Sequence, residues 1–330
     1  IPAGFVLGVQ FLGGHLQICT YGFVAFLGFV LFLILSAERK DRLPLLGRLS
    51  LVLALGLAIG SAQWLPTLEY SRYNFPRGGS YAEVAKGAYR PLEALLFFIP
   101  NLFGNPVDYN DSTIREVVST LWDHGLRNYF EACNYVGVAT LLLAPLAFLN
   151  PARKIRHVAY LLAALAIFAL LAAFPSPVAW LLYHLAPGFR QLVHVTRSMF
   201  IWAFAVPAMA GIGLQSLLAP PQEHVRLPRY YIACSIGLIA LVALIGLIIT
   251  SFPGTSEPVL SGLRTYCSSQ ILRFVLFSLP ALALICVVAF KPNPYLSLAL
   301  LLLLLGDLFT FAYRFNPMVD ADILRSTPSS

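Results

Sequence analysis

Long uncharged apolar runs alternate along the chain with segments that hold nearly all of its charge. The runs are Cys19–Ala37, Leu49–Leu68, Ala132–Ala152, Val158–Phe189, Ser198–Gln222, Tyr231–Ser256, Phe274–Phe290 and Pro292–Gly306. A helix needs roughly 20 mostly apolar residues to cross the hydrocarbon core of a bilayer, and these runs reach or approach that length. Pro175 and Pro177 divide Val158–Phe189 into a span and a second apolar piece, because proline lacks the N–H that continues a helix. The pattern predicts an all-α polytopic membrane bundle of about eight transmembrane helices, a single transmembrane domain over residues 1–330.

Composition agrees: 58% of residues are hydrophobic and 11% charged, against about a quarter charged in soluble domains. The chain starts at Ile1 without a basic leader and stops in the polar tail Ser326–Ser330, which reads as a piece of a longer protein.

The net charge of +7 would suit a nucleic-acid binder, but the charges sort by loop instead. Four short loops hold Arg39, Lys40, Arg42 and Arg48; Arg153, Lys154 and Arg156; Arg226 and Arg229; and Lys291, against only Glu38, Asp41 and Glu223. By the positive-inside rule these loops are cytoplasmic. Alternation then puts residues 68–131, 186–197, 252–273 and the tail outside, with segment 1–17 approaching the outer face. No nucleic-acid partner is expected.

One outer loop dominates. Residues 69–131 carry Arg77, Tyr81, Tyr89, Tyr109, Trp122, Tyr129 and most of the outer acids, and a long aromatic loop of this kind is usually functional. Within it Pro91–Phe103 is apolar yet too short to span, and reads as an interfacial or re-entrant helix; Val178–Phe189 has the same character on the same side.

Candidate chemistry gathers at the outer helix ends. Glu69 and Arg72, beside Gln63, Trp64, Pro66 and Ser71, stand three apart on one helical face, where they can pair or present an anion site. Equally, they fit a snorkelling arginine with an interfacial tryptophan. Arg190, His194 and Arg197 share one helical stripe, and an arginine fork there suits the oxygens of a lipid phosphate; flanking charge is the plainer alternative. His15 follows Gly13 and Gly14 and precedes Gln17, a polar pair at a glycine break where a structural hydrogen bond is the commoner use. Asp307 lies about 12 residues into the last span, roughly 18 Å from its inner end. A carboxylate at such depth costs about 2.5–3.5 kcal/mol on insertion scales and must face protein or water.

Cys19, Cys234 and Cys286 lie in apolar runs as small hydrophobes, while Cys133 and Cys267 near the outer face could pair. Asp108, Asp111, Asp123, His124 and Glu131 offer ligands for a divalent cation at unspecific spacing, and HExxH, CxxC, Walker A, GxSxG and Rossmann patterns are missing.

Several short motifs follow one another along the chain: Gly14-His15-Leu16-Gln17, Pro66 with Glu69 and Ser71-Arg72, Pro100-Asn101-Leu102-Phe103-Gly104, Glu131 with Tyr135-Val136-Gly137, Pro187-Gly188-Phe189 leading to Arg197, Ala210-Gly211-Ile212-Gly213, and Asp307-Leu308 with Asn316-Pro317. In this order the chain resembles the YfhO family of bacterial membrane proteins, related to the C-type, polyprenyl-phosphate-dependent glycosyltransferases. The resemblance implies a transferase in the bacterial inner membrane, large loops outside, passing a sugar from a polyprenyl-phosphate donor to a glycan or glycolipid acceptor of the cell envelope. It implies Glu69 and Glu131 as carboxylates assisting the acceptor, and His15, Gln17, Arg72, Asn101, Tyr135, Arg190, His194 and Arg197 as substrate contacts. The usual acidic catalytic residue of that superfamily would precede Ile1. Family members tend to carry arginine and proline where this chain has His194 and Thr196. The competing expectations are a transporter or flippase of lipid-linked glycans and a non-catalytic membrane subunit of a glycosylation complex.

Overall fold

A computed structural model describes residues 1–73, 80–105, 129–185, 189, 195–219, 227–250 and 257–313. Among these there is no strand. The helices are α1 (Pro2–Leu12), α2 (Leu16–Ser36), α3 (Arg39–Tyr73), α4 (Tyr81–Lys86), α5 (Tyr129–Ala132), α6 (Val138–Leu143), α7 (Arg153–Ala173), α8 (Pro177–Leu185), α9 (Phe200–Leu217), α10 (Arg229–Thr250), α11 (Glu257–Phe290) and α12 (Pro294–Ala312). Three 3₁₀ segments join them, Pro91–Phe97, Ala144–Leu149 and Val195–Met199.

Among the described residues seven stretches are helical, long and apolar enough to cross a bilayer: Gln17–Ser36, Arg39–Tyr70, Arg153–Ala173, Val195–Leu217, Arg229–Ile248, Arg264–Phe290 and Pro294–Ala312. Leu31 and Leu35 on α2, Leu241 and Leu244 on α10, and Leu301, Leu302 and Leu305 on α12 all stand exposed. In water such stripes would be unfavourable; against lipid tails they are ordinary solvent contacts.

The count is seven rather than eight because Ala132–Ala152 does not form one helix. Residues 133–137 are non-helical, α6 lasts six residues, and a 3₁₀ segment follows. Gly137 causes the first break: its φ of 86° and ψ of 141° lie where side chains are strongly disfavoured. Pro145 removes one backbone donor from the second piece. Summed at their full rises, these pieces reach at most about 35–40 Å, enough to traverse a core of about 30 Å. Non-helical backbone at membrane depth must be enclosed by protein, and Val136, Val138, Ala139 and Leu142 are buried. Gly137→Ala is expected to destabilise the protein by about 1–3 kcal/mol, measured as a lower midpoint of thermal unfolding in detergent.

Contacts divide the chain into two compact units, residues 1–91 with 150–212 and residues 92–149 with 213–330. In the first, α1 lies along α3 through glycines spaced four apart on both helices. A Cβ on Gly8 would stand 2.6 Å from the Ile59 Cβ, and one on Gly60 would stand 2.6 Å from the Phe11 Cβ. The same unit seats Val195–Met199 on α7: the Ser198 hydroxyl lies 3.0 Å from the Ala169 carbonyl oxygen and 2.9 Å from that of Val195. The α7 chain breaks at Phe174–Ser176, as the two prolines require, and no residue of α8 is buried.

Pro91–Phe103, which enters the second unit at Leu92, is a 3₁₀ segment followed by turns, with Leu96, Ile99 and Leu102 almost wholly buried. Phe98 packs edge-on against Phe274, centroids 6.4 Å apart, and the Tyr231 hydroxyl donates to the Leu142 carbonyl at 2.7 Å. Cys133 and Cys267 are free thiols, and the Cys267 Sγ lies 3.5 Å from the Leu102 carbonyl oxygen.

Candidate functional site

Two polar clusters interrupt these apolar interiors, one in each unit.

The cluster of the first unit begins at the Gly13–Gly14 break. Gly14 has a φ of 77°, which turns the chain out of α1 and leaves His15 as the residue before α2. The His15 Nδ1 accepts the Ile18 backbone N–H at 3.4 Å, and the ring is otherwise exposed. Its role here is a helix N-cap, satisfying one of the amides that a helix start leaves open.

Gln17, in the first turn of α2, is only 8% exposed. Its Oε1 accepts a hydrogen bond from the Arg197 Nη1 at 3.0 Å. Arg197 projects half-buried from the 3₁₀ segment, flanked by buried Thr196 and Ser198. Beneath it Tyr21 is fully enclosed, its ring edge-on to Phe189 with centroids 5.4 Å apart. The base of the guanidinium is thus fixed, and a fixed planar fork is suited to phosphate or carboxylate oxygens.

Of the other expected contacts in this unit, Glu69 stands exposed on α3. Arg72 belongs to the last turn of α3, but its side chain, like Arg190 and His194, lies outside the described residues. The structure therefore unites Gln17 with Arg197, keeps His15 nearby in sequence as a cap, and leaves Glu69 at the surface.

In the second unit Asp307 is 2% exposed in α12. Its Oδ2 accepts the Tyr135 hydroxyl at 2.5 Å and the Val138 backbone N–H at 3.1 Å. An aspartate from another helix thus caps the first turn of α6, where the local sequence offers only Gly137. Arg273 of α11 completes the group: its Nη2 lies 3.6 Å from the Asp307 Oδ1 and donates to the Asp307 carbonyl at 2.9 Å. With side chains 21% and 3% exposed, this ion pair is largely withdrawn from solvent and needs its supporting hydrogen bonds.

Beside it opens a small cavity with room for about one water molecule, lined in part by Phe98, Tyr135, Gln270, Arg273, Phe274 and Asp307. Nearby, buried Asn101 accepts the Tyr129 hydroxyl at 2.5 Å through its Oδ1. Glu131 is half-buried on α5. Among the described residues no three His, Cys, Asp or Glu side chains are grouped to hold a metal ion; Asp108, Asp111, Asp123 and His124 lie outside them.

Sequence reasoning locates Asp307 but not Arg273. The signal is there, because α11 and α12 are joined by a short loop and lie antiparallel. Positions 273 and 307 are equidistant from Phe290 at the end of α11, so such a hairpin brings them level. The paired glycines of α1 and α3 escape it likewise, although Gly4 with Gly8 and Gly56 with Gly60 are the small-xxx-small spacing of close helix contacts.

No family model, curated protein or solved structure matches this chain. Seven helices among the described residues that are long and apolar enough to span a bilayer define the class on physical grounds: the chain is a polytopic α-helical integral membrane protein.

Proposed function

We propose that the chain forms the membrane part of a glycosyltransferase that moves a sugar from a polyprenyl-phosphate donor to a cell-envelope acceptor at the outer face of the bacterial inner membrane. The observation that carries this reading is Arg197, held by Gln17 at 3.0 Å on a buried base. The order of motifs along the sequence adds to it, and the sorting of basic loops favours the stated orientation. In such a reaction the acceptor hydroxyl gives its proton to a carboxylate and attacks the sugar anomeric carbon. The bond from that carbon to the phosphate oxygen breaks, and the lipid phosphate leaves with the electron pair. Arg197, with Arg72, Arg190 and His194, is assigned to the charge on the departing phosphate. Glu69 or Glu131 is assigned to the acceptor proton. His15 acts as a positioning residue by capping the helix that carries Gln17.

The test is acceptor-dependent sugar transfer by the full-length protein in liposomes loaded with a polyprenyl-phosphate sugar. Arg197→Ala is expected to lower turnover about 100-fold, with Arg197→Lys restoring only part because a point charge replaces the fork. Transfer that survives the combined Arg72→Ala and Arg197→Ala substitutions would sink the assignment.

A transporter of lipid-linked glycans is the second reading. What favours it is the broken segment 133–149 beside the enclosed Arg273–Asp307 pair, since interrupted helices and intramembrane charges mark many transport sites. Movement of the glycolipid across sealed liposomes without sugar release is the result that would select it.

A further inference from the structure

We propose that the cavity between the 91–103 segment, α11 and α12 is a recognition site for the hydroxyl groups of a neutral sugar. The inference rests on the reading above only in taking a sugar-bearing molecule as the substrate.

Among the described residues the polar groups there are incompletely used. Asp307 commits Oδ2 to Tyr135 and Val138, while its Oδ1 meets Arg273 only at 3.6 Å. That oxygen retains room to accept a further hydrogen bond. Arg273 spends one Nη2 proton on the Asp307 carbonyl; among the described residues its Nε and Nη1 make no hydrogen bond. Gln270, one helical turn before Arg273 and lining the same cavity, makes none through its amide among the described residues. An acceptor, several donors and an amide able to do either therefore border one small space.

Charge decides among ligands. A phosphate would face the Asp307 carboxylate, and a cation would face the Arg273 guanidinium. The pair is neutral as a whole, so the ligand that gains from every group is neutral and carries both donors and acceptors, as adjacent hydroxyls do. The rings of Phe98 and Phe274 on the wall supply the apolar contact that the C–H face of a pyranose requires. The space, sized for about one water molecule, suits a single hydroxyl of such a sugar, with the ring lying at its mouth.

Gln270→Ala is the decisive variant, because removing an amide without a hydrogen bond among the described residues does not disturb the fold. The full-length protein, in a detergent lacking a sugar headgroup, is titrated with methyl glycosides of neutral hexoses and read by saturation-transfer NMR. Inorganic phosphate serves as the charged comparison. A second arm uses nanodiscs doped with a monoglycosyl diacylglycerol, which separates a lipid-borne sugar from a free one. Binding in either arm, with Kd raised about tenfold in Gln270→Ala, supports the site. Absence of binding in both arms, indifference to Gln270→Ala, or preferential binding of phosphate overturns it. If sugar transfer fails while Gln270-dependent binding persists, the transferase reading alone falls; if transfer persists and binding ignores Gln270, this inference alone falls.

Discussion

Asp307→Leu is expected to destabilise the protein by about 3 kcal/mol, read as a lower midpoint of unfolding in mixed detergent micelles. The substitution removes three interactions at once. Arg273 loses the carboxylate at 3.6 Å, the Tyr135 hydroxyl loses its acceptor, and the Val138 amide loses the oxygen that caps α6. The larger part of the cost comes from what stays behind, a mostly buried guanidinium and two buried donors without partners. Asp307→Asn keeps a carbonyl oxygen for one of those donors and should cost about 1–2 kcal/mol. The discriminating variant combines Asp307→Leu with Arg273→Met. Replacing both members of a buried pair by apolar groups is often close to neutral, so the double variant should recover much of what the single one loses. A double variant less stable than Asp307→Leu alone would show that Arg273 is held by something other than the aspartate.

That cluster also shows what can be read from a sequence of this kind. Positions of spanning helices are legible because lipid demands long uncharged runs, and seven of the runs contain helices of spanning length and hydropathy. The eighth, Ala132–Ala152, has the same hydropathy and a different backbone. Hydropathy measures side chains, whereas Gly137 breaks the helix through its φ of 86°. The enclosed polar groups follow a similar division. Asp307 stands out because a carboxylate deep in a spanning segment has to be explained. Its partners Tyr135 and Arg273 lie 172 and 34 residues away. Only the second can be anticipated, by counting outward from the hairpin turn. Gln17 and Arg197 are 180 residues apart; each is visible alone in the sequence, and their contact is not. His15, beside its glycine break, reads as a hydrogen-bonded residue, and its N-cap geometry is of that kind.

The α1–α3 contact should fail when its glycines are enlarged. A Cβ on Gly8 would stand 2.6 Å from the Ile59 Cβ, and one on Gly56 would stand 2.7 Å from the Leu7 Cδ2 and 3.0 Å from its Cβ. These neighbours are the roots of side chains as well as their ends, so rotation alone cannot clear the space. Lipid tails are as apolar as leucine, so little hydrophobic gain holds two helices together in a bilayer, and close packing carries the association. Overpacking should cost about 1–3 kcal/mol at each position, with Gly8→Leu and Gly56→Leu each detaching the 11-residue α1 from the longer helix. Disulfide trapping reads this directly. Leu7→Cys removes the Cγ and Cδ2 atoms that a Cβ at position 56 would meet, so Leu7→Cys with Gly56→Cys, oxidised in membranes, is expected to cross-link, and adding Gly4→Leu should abolish the product while α3 stays inserted. Undiminished cross-linking in that variant would mean that the glycine contact does not hold the pair. Gly47, where an added Cβ would meet no atom within 4 Å, supplies the control: Gly47→Leu lies on the same helix and should leave the cross-link intact, because nothing there depends on close approach.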